Sequence, residues 1–111
     1  MISKKEIQKN RKILTTADKS MADIFKVLGD VNRYRIFSLL VEQPKLSVSA
    51  IAEVLDISLP LTSQHVKILV DNNLLQKVRN GQTIFPKIKQ DNPFVPAIIK
   101  TIKSAYKLRI K

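Results

Sequence analysis

Residues 47–71 constrain this 111-residue chain more than any other stretch, because they predict two short helices joined by a very tight turn. Ser47 and Ser58 each precede an apolar helical pattern, and a serine hydroxyl can accept a hydrogen bond from a free N–H at a helix start. Between the helices Asp56 tolerates the left-handed conformation, and Pro60 suits a first turn, where its missing N–H costs nothing. The apolar face of the first helix repeats at helical spacing and consists of Val48, Ile51, Ala52 and Leu55.

The second helix of the pair, residues 59–71, is predicted to have one apolar and one polar face. Leu61, Ile68 and Leu69 face inward, and the small Ala52 lets the two helices cross closely. The other side carries mainly polar side chains: Thr62, Ser63, Gln64, His65 and Lys67. Such a pair is typical of a helix-turn-helix, whose first helix crosses the DNA backbone and whose second enters the major groove. The alternative is an ordinary helical hairpin in a small core.

The overall charge favours a nucleic-acid partner. Lys and Arg total 20 against 9 Asp and Glu, so the formal net charge is +11, which favours a polyanion over a membrane surface. No apolar span or secretory leader is visible, so we expect a cytoplasmic protein. The absence of cysteine excludes disulfides and thiolate metal sites. One histidine, no Gly-rich phosphate loop and no paired carboxylates argue against an enzyme.

The N-terminal half predicts an extension followed by two helices. Residues 1–16 form a basic extension whose apolar residues are too scattered to predict a helix. Three interpretations of this extension stay open: a solvated arm, an arm that contacts phosphates, and a helix that orders only against a partner. Residues 17–28 and 31–41 are predicted helices, ended by Gly29 and by Pro44. In the second of them Arg33 and Arg35 leave the apolar face, as surface charges or phosphate contacts.

Residues 74–88 predict a β-hairpin. Asn80-Gly81 lies between two strand-like runs, and a tight turn centred on this pair needs positive φ at both residues. Pro86 suits an edge or a strand end. A ribbon directly after the second helix of the pair is a wing, whose basic residues can reach phosphates or the minor groove. These residues are Arg79 near the tip and the flanking Lys77, Lys87 and Lys89.

Residues 93–110 predict a last helix with a continuous apolar stripe. Such a stripe needs a partner surface, and we expect a dimer seam shared with helix 17–28, although packing on its own domain is the alternative. The domain is therefore predicted to span residues 17–111, mainly α with a small β-hairpin, dimerising through its N- and C-terminal helices. The predicted seam consists of Met21, Ile24, Phe25, Val95, Ile98, Ile99, Ile102 and Tyr106.

The order of elements and four sequence blocks resemble the ArsR/SmtB family of winged-helix repressors. Residues 28–36, LGDVNRYRI, are similar to that family's L-x-D-P-T-R-x-x-I segment, with Val31 and Asn32 in place of Pro and Thr. Residues 51–58, IAEVLDIS, and 63–69, SQHVKIL, resemble its I-A-x-x-L-x-I-S and S-x-H-L-x-x-L signatures. Residues 73–81, NLLQKVRNG, are similar to its wing. The resemblance covers roughly residues 20–105.

This resemblance implies a homodimer that binds an inverted-repeat operator. The implied base-reading surface includes Thr62, Ser63, Gln64 and His65, with Leu59 and Pro60 at the helix start, where family members often have polar residues. Leu59 can touch a thymine methyl, Gln64 can pair bidentately with adenine, and Ser63 and Lys67 suit backbone contact. His65 either reads DNA or holds the recognition helix as a structural residue.

Many family members release DNA on binding a metal, but this chain lacks their ligands. It has no cysteine, its single histidine lies in the presumed recognition helix, and the last helix has no Asp, Glu or His after Asp91. We therefore predict no metal site and no cofactor. The sequence does not indicate any other effector. The sequence predicts a dimeric, sequence-specific regulator of double-stranded DNA, a repressor in the family pattern. The alternatives are a non-specific architectural DNA binder and a winged helix used for protein contacts.

Overall fold

The computed structural model describes residues 1–109, with the backbone alone at residue 109. Six helices and one two-stranded hairpin follow each other along the chain. In order they are α1 Lys4–Arg11, α2 Ala17–Leu28, α3 Val31–Glu42, α4 Val48–Leu55, α5 Leu59–Asp71, β1 Leu75–Asn80, β2 Thr83–Ile88 and α6 Val95–Arg109. The last helix begins two residues later than the sequence predicts, and residue 110, where the predicted helix ends, lies outside the described residues. No helix within residues 1–109 is long and apolar enough to cross a membrane.

The helix-turn-helix has the predicted caps and turn. The N–H of Ala50 donates to Ser47 Oγ at 3.1 Å, and the N–H of Leu61 donates to Ser58 Oγ at 3.2 Å. Asp56 ends α4 with φ 55° and ψ 46°, in the left-handed region. Each local signal therefore stabilises the end of the helix at which the sequence places it.

Helices α2 and α3 meet at a short corner. Asp30 caps α3 by accepting hydrogen bonds from the N–H groups of Asn32 and Arg33, at 2.9 and 3.1 Å. Gly29 ends α2 with φ −73°, in the right-handed region, so it is not a left-handed cap. A Cβ at this position would lie 3.1 Å from the carbonyl oxygen of Phe25. The glycine is therefore favoured by a close backbone approach rather than by positive φ.

Helix α3 lies at the centre of the core. Its Ile36, Phe37 and Leu40 are buried, and the helix packs against α2, α4, α5, α6 and β2. Full burial of each such side chain contributes about 1.5–3 kcal/mol relative to exposure. The core fixes α5 and the wing relative to each other, and its other fully buried members are Ile51, Val66, Leu69, Leu74, Leu75 and Val95.

The wing is an antiparallel pair whose turn lies one residue beyond the predicted one. Leu75 pairs with Ile88 and Asn80 pairs with Thr83, so the two loop residues are Gly81 and Gln82. Gly81 has φ 64°, whereas Asn80 belongs to the strand. The prediction that Asn80 and Gly81 are the central turn residues is wrong, and a two-residue loop with glycine first is typical of a type II′ turn.

The N-terminal extension contains a helix that the sequence does not predict. Ser3 Oγ accepts from the N–H of Glu6 at 3.1 Å, and Glu6 Oε1 accepts from the N–H of Ser3 at 3.3 Å. This reciprocal capping box stabilises the start of α1. No residue of α1 is buried, so local hydrogen bonds rather than core packing define the helix.

Candidate nucleic-acid interface

The exposed side of α5 forms a surface that could enter a groove. Leu59, Pro60, Ser63, Gln64 and Lys67 are exposed, and all lie within the first nine residues of the helix. Gln64 makes no side-chain hydrogen bond within residues 1–109, so its amide is available as both donor and acceptor. We call these five residues the α5 surface.

Thr62 is not part of the α5 surface, although the sequence places it on the polar face. Its side chain is fully buried, and Oγ1 donates to the carbonyl oxygen of Ser58 at 2.9 Å. This bond satisfies the hydroxyl inside the core. The position of Thr62 in the base-reading set is therefore corrected, because a fully buried side chain cannot meet a base edge.

His65 is also buried, with 8% of its surface exposed, and it contacts α3. Its Nδ1 lies 3.4 Å from Arg33 Nη1. A guanidinium only donates, so Nδ1 is the acceptor in this contact. Of the two roles left open for His65, this geometry favours the structural one.

Arg33 is mostly buried and makes its contacts within the protein. Its side chain is 17% exposed, and Nε donates to the carbonyl oxygen of Val27 at 2.7 Å. Nη1 lies 4.0 Å from Asp30 Oδ2. The hydrogen bond from the Arg33 N–H lowers the pKa of Asp30 and outweighs burial, which acts in the opposite direction. Of the two arginines on α3, only Arg35 is exposed.

Lys67 carries an exposed positive charge on α5. Its Nζ lies 2.8 Å from Asp71 Oδ2, one helical turn further along. Both side chains are more than half exposed, and such surface pairs contribute about 0–1 kcal/mol. The ammonium of Lys67 can therefore exchange this carboxylate for a phosphate at little cost.

The basic residues of the wing divide into two sets. Lys77 and Arg79 are exposed and lie two residues apart on β1, so they share one face of the hairpin. Lys87 pairs with Gln76 and lies on the opposite face, where its Nζ donates to the carbonyl oxygen of Pro44 at 2.8 Å. The structure thus directs Lys87 towards the α3–α4 connection, and Lys77 and Arg79 remain as the free charges predicted on this wing.

The predicted dimer seam separates into a groove and a core. Val95 is fully buried in the core of the same chain, so its assignment to a seam is corrected. Ile24 and Ile102 are 5% exposed and belong to the core, but both also line the groove between α2 and α6. Phe25 is 70% exposed, and together with Met21 it borders an apolar groove of about 430 Å³ between α2 and α6.

We call this cavity the α2/α6 groove. Its other lining residues include Leu28, Phe94, Ala97 and Ile98. Ile99 points away from it, into a separate cavity beside β2, and Tyr106 is half exposed beyond the end of the lining. Only part of the predicted stripe therefore remains accessible to a second chain.

Acidic and histidine side chains do not converge on a metal site in the part of the chain that the structure describes. Within residues 1–109 no group of three or more His, Cys, Asp or Glu side chains is placed to hold an ion.

Sequence comparison identifies a domain family and individual proteins that this chain resembles. The "Helix-turn-helix domain" family matches residues 18–78. The HTH-type transcriptional regulator YgaV of Escherichia coli K12 is 30% identical over 93 residues, which are 84% of this chain and 92% of that protein. The cadmium resistance transcriptional regulatory protein CadC of Listeria innocua is 33% identical over 70 residues, which are 63% of this chain. The chain matches only 59% of the length of that relative.

Solved structures show the same arrangement of helices and wing. The transcriptional regulator HlyU from Vibrio vulnificus superposes with a TM-score of 0.73 at 27% identity, over 87% of this chain and 98% of that one. The homodimeric winged helix-turn-helix DNA-binding domain Mb0332 from Mycobacterium bovis, described as a possible ArsR-family transcriptional regulator, superposes with a TM-score of 0.69 at 22% identity. That match covers 84% of this chain and 83% of the other.

Proposed function

The chain belongs to the ArsR-type family of helix-turn-helix transcriptional regulators, and from that premise we propose that it is a dimeric repressor that binds an inverted-repeat operator. The observation that carries the proposal is the α5 surface, a capped and rigid helix face with Gln64 unengaged at its centre. A major groove about 12 Å wide admits one helix. In this position the amide of Gln64 can pair with adenine N6 and N7, and exposed Leu59 can contact a thymine methyl.

Phosphate contacts position the protein on the duplex. Lys67 on α5 and Lys77 and Arg79 on the wing are exposed on successive elements of the helix-turn-helix and hairpin. The net charge of +11 supports association with a polyanion of any sequence. Base readout by α5 would then add the sequence preference that distinguishes a regulator from a general DNA binder.

A second copy of the chain is the proposed occupant of the α2/α6 groove. The groove is almost entirely apolar, and Phe25 at its edge would bury a large ring on association. The homodimeric state of Mb0332, which shares the fold, supports this assignment. Two-fold symmetry would place two α5 surfaces about one helical turn of DNA apart.

Selection of bound duplexes from a random pool tests the proposal. We expect an inverted repeat with half-site centres about 10–10.5 base pairs apart. Replacement of Gln64 by Ala should cost about 1–3 kcal/mol and relax the preference at one base position in each half-site. Ser63→Ala, a change at an exposed neighbour suited to the backbone, is the matched control and should leave the selected sequence unchanged. A pool without enriched sequences would indicate an architectural binder instead.

A further inference from the structure

Arg33 connects three elements of the domain through one guanidinium. Nε donates to the carbonyl of Val27 in the last turn of α2, and Nη1 faces Asp30 at the start of α3. The same Nη1 lies 3.4 Å from Nδ1 of His65, in the middle of α5. Because these groups lie on different helices, the guanidinium fixes the position of α5 relative to the end of α2.

Each end of this connection adjoins a surface that the proposed function uses. Leu28 and Gly29, which directly follow Val27, line the α2/α6 groove, and so does Tyr34, the neighbour of Arg33. At the other end His65 directly follows Gln64 on α5. A displacement of the α2 end would therefore reach the base-reading helix through two side chains.

We propose that Arg33 and His65 are positioning residues that align the recognition helix for base readout. The inference rests on the proposed function and adds a requirement that no contact with DNA reveals. The acceptor in this contact is Nδ1 of His65, because a guanidinium only donates. The charged groups that the structure places at this contact are the Arg33 guanidinium and the Asp30 carboxylate.

Three substitutions distinguish the role of Nδ1 as a hydrogen-bond acceptor from the role of the ring in packing. His65→Asn keeps an oxygen acceptor near the position of Nδ1. His65→Leu keeps apolar volume and removes the acceptor. Arg33→Lys keeps the charge, but a single ammonium lacks the planar fork needed to serve both the Val27 carbonyl and His65.

The readout is selectivity, measured as the ratio of affinities for two duplexes. One is the duplex that the wild-type protein selects from a random pool, and the other is a scrambled duplex of the same composition. Thermal unfolding of each variant verifies that it is folded.

We expect His65→Leu and Arg33→Lys to lower the selectivity by about tenfold, as the loss of one charge-assisted hydrogen bond predicts. Their affinity for the scrambled duplex should stay within about twofold, because the phosphate contacts remain. His65→Asn should restore the selectivity.

Two results would overturn the inference while leaving the proposed function intact. In one, the wild-type protein is selective and both folded variants, His65→Leu and Arg33→Lys, remain equally selective. In the other, His65→Asn loses as much selectivity as His65→Leu, so that the acceptor has no role. A wild-type protein without any preference would instead overturn the proposed function, and the inference with it.

Discussion

The two strands of the wing contain three basic side chains that look equivalent in the sequence and should respond differently to substitution. Lys77 and Arg79 are exposed and make no ion pair within residues 1–109, whereas Nζ of Lys87 is held by the Pro44 carbonyl at 2.8 Å. Each phosphate neutralised on B-DNA contributes about 0.9 to the slope of log Kobs against log salt. The paired change Lys77→Ala with Arg79→Ala removes two contacts per subunit, hence four in a dimer, and should make the slope shallower by about 3.6.

The assay is a titration of one fixed duplex at several potassium chloride concentrations. Over a fourfold increase in salt, the wild-type protein should lose about 150-fold more affinity than the paired variant. The matched control is Lys87→Ala, which should leave the slope nearly unchanged because its ammonium is already bound within the protein. The reasoning fails if the paired variant keeps the wild-type slope, or if Lys87→Ala flattens the slope by as much.

Three further substitutions test the groove, the core and the α3 cap. Phe25→Glu should convert dimers to monomers in sedimentation equilibrium, whereas Val54→Glu, equally exposed but outside the groove, should not. Thr62→Val should lower the free energy of unfolding by about 1 kcal/mol, and exposed Ser63→Ala should change it by less than about 0.5 kcal/mol. The lowered pKa of Asp30 means that its carboxylate stabilises the fold above the unfolded pKa, and that this contribution is lost as the pH falls through the folded value. Asp30→Asn should therefore flatten the acid side of a plot of urea midpoint against pH.

The helix boundaries that the sequence predicts well are those with a local signal at each end. Ser47 and Ser58 cap α4 and α5, and left-handed Asp56 ends α4, because each acts through hydrogen bonds within a few residues. Helix α1 has a signal of the same kind, Ser3 with Glu6 three residues later, but a search for apolar periodicity alone overlooks it.

The faces of α5 show why a polar residue is not always an exposed residue. Val66 and Leu69 are fully buried, and the positions four residues before them are 62 and 65. Helical spacing from these two apolar residues therefore identifies the buried stripe, even though it contains a threonine and a histidine. The prediction placed Leu61, Ile68 and Leu69 on the inward face. Leu69 is fully buried, but Leu61 and Ile68 are only partly buried, so the predicted stripe did not include positions 62 and 65.

The partners of several polar side chains lie too far along the chain for any local pattern to predict them. Arg33 and His65 are 32 residues apart, and Lys87 reaches a carbonyl 43 residues before it. Such contacts exist only once α3, α5 and the wing are packed on one core, so a basic residue read in isolation is equally suited to solvent, phosphate or protein. The polar side chains of α5 and the wing that remain exposed after packing form a smaller set than charge and polarity suggest: Ser63, Gln64 and Lys67 on α5, with Lys77 and Arg79 on β1. The interface proposed for DNA is therefore confined to side chains that packing leaves accessible, because a polar group satisfied inside the protein is not available to bind DNA.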